Sequence, residues 1–127
     1  MKKNYTVVAL LAAVSLMSSC GSIREMKEFS ETAVFAEPQL QDLEDGQYIG
    51  EFEKGLVAAE VTVLVRDHAI ESIEILRHDN GKGKKAERIV DDIVARQSLQ
   101  VDIISGATYS STVILKAVEN ALTLSSQ

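Results

Sequence analysis

The stretch Ala59-Glu60-Val61-Thr62-Val63-Leu64-Val65-Arg66 puts an apolar side chain at every second position. That period of two marks a strand with one face buried. Leu64 interrupts the polar face, which predicts partial cover on that side as well. Asp67-His68 then makes a tight turn, and Ala69–Arg77 returns as the next strand, so the two form an antiparallel hairpin. His68 stands where such a turn prefers glycine. Upstream, Gly46-Gln47-Tyr48-Ile49-Gly50-Glu51-Phe52 reads as an opening strand, with turn glycines at Gly46 and Gly55. Downstream the period changes. Ala86, Ile89, Val90, Ile93 and Val94 form one apolar helical stripe over about Lys84 to Gln97. Ile114, Ala117, Val118, Ala121 and Leu122 repeat that spacing, with Ser110 or Ser111 as the expected N-cap. Three strands followed by two helices predict an α+β fold, an antiparallel sheet with two principal helices packed on it.

The chain has 127 residues, enough for one small domain. Its net charge of −6 argues against a nucleic-acid partner, which needs a basic face to displace counterions. A single cysteine excludes an internal disulfide, and with it cysteine-rich zinc, iron–sulfur and CxxCH haem sites. Tryptophan is absent and aromatics are 5%, so the core is aliphatic.

The first residues read as an address. Lys2 and Lys3 precede an apolar run, Val7–Met17, of 11 residues. A spanning helix would need roughly 20. The run ends in Leu16-Met17-Ser18-Ser19-Cys20-Gly21, which resembles a bacterial lipobox. The expected organisation is a lipoprotein signal peptide over 1–19, a tether over 20–44 and the globular domain over 45–127. Cys20 is then the lipidated mature N-terminus, and the chain is anchored to the cell membrane on its extracytoplasmic side. Loss of residues 1–19, with two lysines and no acid, leaves a mature charge of −8. A short helix is compatible with Ile23, Met26 and Phe29 at intervals of three.

Chemistry concentrates in two segments. Asp102-Ile103-Ile104-Ser105-Gly106-Ala107-Thr108-Tyr109-Ser110-Ser111 sets small residues and five hydroxyls directly before a helix. Unpaired backbone N–H groups and the positive end of the helix dipole make such a place suitable for a phosphate. Ordinary serine capping would use the same residues. The second segment, His78-Asp79-Asn80-Gly81-Lys82-Gly83-Lys84-Lys85, has glycines that permit close backbone approach. It is no P-loop, because GxxxxGK[ST] is absent.

Asp102-Ile103-Ile104-Ser105-Gly106-Ala107-Thr108 matches the D-x-x-[ST]-G-A-T pattern of FMN-binding domains. Asp45–Leu122 as a whole resembles the small stand-alone FMN-binding lipoproteins. It is also similar to the flavin-carrying subunits of Na+-pumping NADH:quinone reductases and Rnf complexes. The opening Asp45–Gly50, the His78–Ala86 loop and Gln97-Ser98-Leu99 fit in the right order. The loop lacks the Glu-Thr-Pro-Gly sequence common in the larger relatives.

The resemblance implies FMN as cofactor, with Thr108 the covalent acceptor through a phosphoester. A separate flavin transferase, dependent on FAD and magnesium, attaches it and releases AMP. Asp102, Ser105, Gly106, Ala107, Ser110, Ser111, His78, Gly81 and Gly83 are the other candidate cofactor-binding residues. N–H groups near Ser110–Thr112 are the expected seat of the phosphodiester. Asp102 has two readings, a cap on the loop or a feature read by the transferase. His78 either hydrogen-bonds the flavin or is a plain surface residue, and Tyr109 packs on the ring or on the sheet. Lys84 and Lys85 offer cations to a phosphate or reduced flavin, although a solvated lead-in to the helix is the favoured reading of both.

The resulting expectation is a membrane-anchored electron-transfer flavoprotein, with a membrane or extracytoplasmic redox partner, rather than a self-sufficient enzyme. The alternative is a lipoprotein that binds or stores FMN noncovalently without a redox role. A scaffold lipoprotein without flavin is a third.

Overall fold

The computed structural model describes residues 23–79 and 83–124. The expected signal peptide, Cys20 and Gly81 lie outside them. Residues 23–32 form a helix, α1, with Ser30 and Thr32 hydroxyls donating back to the carbonyls of Met26 and Glu28. It belongs to one compact unit and residues 33–127 to another. Among the described residues, no helix is long and apolar enough to cross a membrane.

The second unit is a three-stranded antiparallel sheet with helices on one face. Its strands are β1 (Gly46–Lys54), β2 (Val57–Arg66) and β3 (Ala69–Asp79), in the order β1-β2-β3. A 3-10 turn at Lys84–Arg88 leads into α2 (Ile89–Arg96), and α3 (Thr108–Thr123) closes the chain. The fold is therefore α+β, as the change of period implies. Val61, Val63 and Val65 of β2 are fully buried beneath the helices, as are Ile89, Ile93, Ile114 and Val118.

Two hairpins carry the sheet. Gly55, with φ +60°, takes the first central position of the two-residue β1–β2 turn. That is the conformation a type II′ turn demands and glycine supplies. The β2–β3 turn uses Asp67 and His68, both at positive φ without being glycine. It is held from outside. Asp67 N–H donates to the Asp45 carboxylate at 2.8 Å, and His68 Nδ1 lies 3.3 Å from the Leu40 carbonyl.

The β2–β3 register shifts twice, between Glu60 and Val61 and between Leu64 and Val65. Each shift adds one residue to β3, and an added residue exchanges the faces of everything beyond it. Ile73 and Ile75 face the core opposite Val63 and Val61. Past the irregularity at Glu60/Val61, where Leu76 is the added residue, Arg77 faces outward and His78 turns inward opposite Ala59.

The helix boundaries differ from the periodicity in two places. The expected single helix over Lys84–Gln97 is a 3-10 turn followed by α2. An i, i+3, i+4 stripe permits either, because i and i+3 adjoin in both forms. The N-cap of α3 is Ala107 rather than Ser110 or Ser111, which are buried inside its first turns.

Residues 33–44, within the expected tether, run along the domain. Lys116 Nζ donates to the Val34 carbonyl at 2.8 Å and to Glu119 at 2.7 Å. Glu119 accepts the Ala36 N–H, and Glu37 accepts from the Ser98 hydroxyl and the Leu99 N–H. Leu43 is buried.

Gln97 joins α2 to the sheet. It sits in the left-handed region at the C-terminus of α2, with φ 54°. Its side-chain amide accepts the Ile70 N–H at 2.7 Å and donates to the Ile70 and Val94 carbonyls at 2.8 and 2.7 Å. The amide thus pairs with β3 as a short strand would, and also caps the helix. Gln97→Ala should cost about 2 kcal/mol, because three bonds go and Ile70 loses its partners. Gln97→Gly should cost less than Gln97→Ala, since glycine tolerates the positive φ. Urea midpoints of the three proteins check both the loss and the order.

Candidate functional site

The segment before α3 is a tight turn. Ala107 N–H donates to the Ile104 carbonyl at 2.9 Å, and Gly106 at the third position has φ +75°. A type II turn needs positive φ there, hence glycine. Ser111 fastens the turn from inside the helix. Its hydroxyl accepts the Ile104 N–H at 3.2 Å and donates to the Ala107 carbonyl at 2.8 Å. Ala107 makes no side-chain cap, and Ser111 holds the turn without capping the N–H groups of the first helical turn.

This bonding decides which backbone donors stay open. Ser111 N–H is the first to close a helical bond, onto the Ala107 carbonyl. The N–H groups of Thr108 and Ser110 precede it and have no intrahelical acceptor. The expectation of donors at Ser110–Thr112 therefore moves two residues toward the N-terminus. Of the five hydroxyls in the motif, those of Ser110 and Ser111 belong to buried residues. Tyr109 gives its hydroxyl to the Lys54 carbonyl at 2.7 Å, which places it on the β1–β2 hairpin. Ser105 and Thr108 are exposed, and Thr108 is the first residue of α3.

Asp102 is exposed and makes no hydrogen bond to the described residues. The loop-cap reading of that residue is thus replaced by Ser111. Gly83 is buried and caps the 3-10 turn, with its carbonyl accepting the Ala86 N–H. The His78 side chain is 1% exposed, and its Nδ1 lies 3.1 Å from Glu87 Oε1. This pair ties the end of β3 to the 3-10 turn across the glycine loop. His78 is not a surface residue, because the β3 irregularity turns it inward.

Lys85 reaches the turn from the other side. A Cβ added to Gly106 would lie 2.5 Å from Lys85 Nζ and 3.2 Å from its Cε. Glycine leaves room for the ammonium to lie over the turn, two residues before Thr108. The sequence favours a solvated lead-in for Lys85; its position over Gly106 comes from the packing of the 3-10 turn on α3.

One end of the sheet thus gathers the β1–β2 hairpin, the end of β3 with the 3-10 turn bonded to it, and the start of α3. At the hairpin tip Leu56 is 93% exposed.

A family model for the FMN-binding domain matches residues 54–123, more than half of the chain. The chain belongs to the FMN-binding domain family. No curated protein and no solved structure matches it. The match runs from the hairpin through α3, so it includes every residue gathered at this end of the sheet. The cofactor of this FMN-binding domain is FMN, and the protein is a flavoprotein. The residues fit that group. Gly106 and Ala107 keep bulk away from a phosphate, two N–H groups and an ammonium match its charge, and Leu56 offers apolar surface to a ring.

Proposed function

We propose that this FMN-binding domain carries its flavin covalently, as a phosphoester on Thr108, and relays electrons outside the cytoplasm from a lipid anchor at Cys20. The observation that carries the reading is the sorting of hydroxyls in the motif. Thr108 offers an exposed hydroxyl at the first position of α3, beside open N–H groups, whereas Ser110 and Ser111 are buried.

The attachment balances as a substitution at phosphorus. The Thr108 hydroxyl oxygen attacks the FMN-side phosphorus of FAD, the pyrophosphate P–O bond breaks, and AMP leaves. The hydroxyl proton passes to a base, and no electrons change hands. Threonine is a weak nucleophile without such a base and a metal. Both come from a flavin transferase with bound magnesium, and exposed Asp102 is available for that enzyme to read. Afterwards the N–H groups of Thr108 and Ser110 face the diester charge. When bound, FMN supplies one- and two-electron transfer, while the chain fixes its place. The lipobox-like Ser18-Ser19-Cys20 supports the anchor, and a membrane or extracytoplasmic redox protein is the partner.

The test is production of the mature chain with an active flavin transferase, FAD and magnesium. The expected result is flavin fluorescence that survives a denaturing gel, with the added mass on the Thr108 peptide. An unmodified peptide beside a transferase that labels a control substrate overturns covalent attachment. FMN retained only under native conditions would favour noncovalent storage.

A further inference from the structure

We propose that Lys85 is the counter-cation of the flavin phosphodiester, an inference that rests on Thr108 carrying that group. The lysine lies over the acceptor turn, with its ammonium 2.5 Å from where a Gly106 Cβ would be. It makes no hydrogen bond or ion pair with any described residue. The position is electrostatically costly by itself. The N-terminus of a helix carries partial positive charge, and cations are favoured at the opposite end. Here an ammonium faces the start of α3, whose first turn contains no acidic residue.

An anion attached to Thr108 reverses the sign. A phosphodiester keeps one negative charge at neutral pH. Seated between the N–H groups of Thr108 and Ser110 and the Lys85 ammonium, it is attracted by both. Gly106 is glycine for the positive φ of the turn, and its bare face is where the lysine crosses. The 3-10 form of Lys84–Arg88 contributes too, because Ala86 is buried as an anchor and Lys85 beside it is left on the outer side.

The consequence is an opposite effect of one substitution in two forms of the protein. In the unloaded protein Lys85→Gln should leave the melting temperature unchanged or raise it by about 1–4 °C, since a misplaced cation is removed. In the loaded protein the same change should lower it by about 1–4 °C, and Lys85→Arg should restore most of the loss. High salt should shrink both effects.

Four samples decide it: the native sequence and Lys85→Gln, each with and without flavin, their loading established by mass. A shift of the same sign and size in both forms overturns the role of Lys85 while leaving attachment intact. Absence of flavin mass from the native sequence overturns both. Should Lys85→Gln escape loading, Thr108→Glu supplies a fixed anion instead. Its stabilisation should then be greater with Lys85 than with Lys85→Gln, and equal stabilisation in the two backgrounds overturns the proposal.

Discussion

Gly50→Ala should destabilise the domain by about 1–3 kcal/mol, and Gly50→Val should leave no cooperative unfolding transition. A Cβ at Gly50 would lie 2.1 Å from the Ala117 carbonyl oxygen, 2.4 Å from the Ala121 nitrogen and 2.7 Å from the Ala121 Cβ. Two of these atoms belong to helix backbone, so no side chain can rotate away. α3 must move off β1 as a body. That motion would strain the Asn120 side-chain bond to the Glu51 carbonyl, 2.8 Å, and open the layer over Val61. A glycine inside a strand weakens it unless another backbone comes close, and here one does. Urea unfolding followed by circular dichroism reads the outcome. Native stability in Gly50→Ala would mean that α3 does not approach β1 this closely. Ala117→Leu should be comparably harmful, because the same contact would then be overfilled from the helix side.

The close contact shows where sequence reading stops. Alternation in Ala59–Val65 and the stripe on Ile114–Leu122 give the layers and their facing surfaces. They do not say how near the layers come. Ala117 and Ala121 are small and four apart, which is compatible with a close crossing, but Gly50 lies some seventy residues earlier and only the crossing joins them. His78 illustrates a different limit. Strict alternation from Ile75 would turn it outward; an extra residue at Leu76 turns it inward, and nothing local announces a bulge. The start of α3 was misplaced for a third reason. Capping rules seek a hydroxyl at the cap itself, whereas Ser111 reaches backward from inside the helix to Ile104 and Ala107. The motif around Thr108 was legible because its residues are contiguous, while Lys85 joins it only in three dimensions.

Thr108→Ala should abolish covalent flavin while leaving the fold within about 0.5 kcal/mol of the native sequence, as expected for an exposed position. Thr108→Ser should keep the flavin, because the hydroxyl oxygen remains at the first position of α3. The neighbours sharpen the contrast. Ser110 and Ser111 are buried in the helix, so they cannot take over when Thr108 is lost. Ser105 is exposed and lies on the turn rather than on the helix. Ser105→Ala should therefore retain full loading if the helix N-terminus selects the acceptor. Loading that persists in Thr108→Ala and vanishes on further change of Ser105 would show that exposure alone selects the hydroxyl. Mass measurement of the two peptides separates these results. Native-state flavin fluorescence of Thr108→Ala then reports how much affinity comes from Gly106, Lys85 and the hairpin without the ester. Weak, salt-sensitive retention is expected, because an open phosphate seat with one cation attracts a dianion mainly through charge.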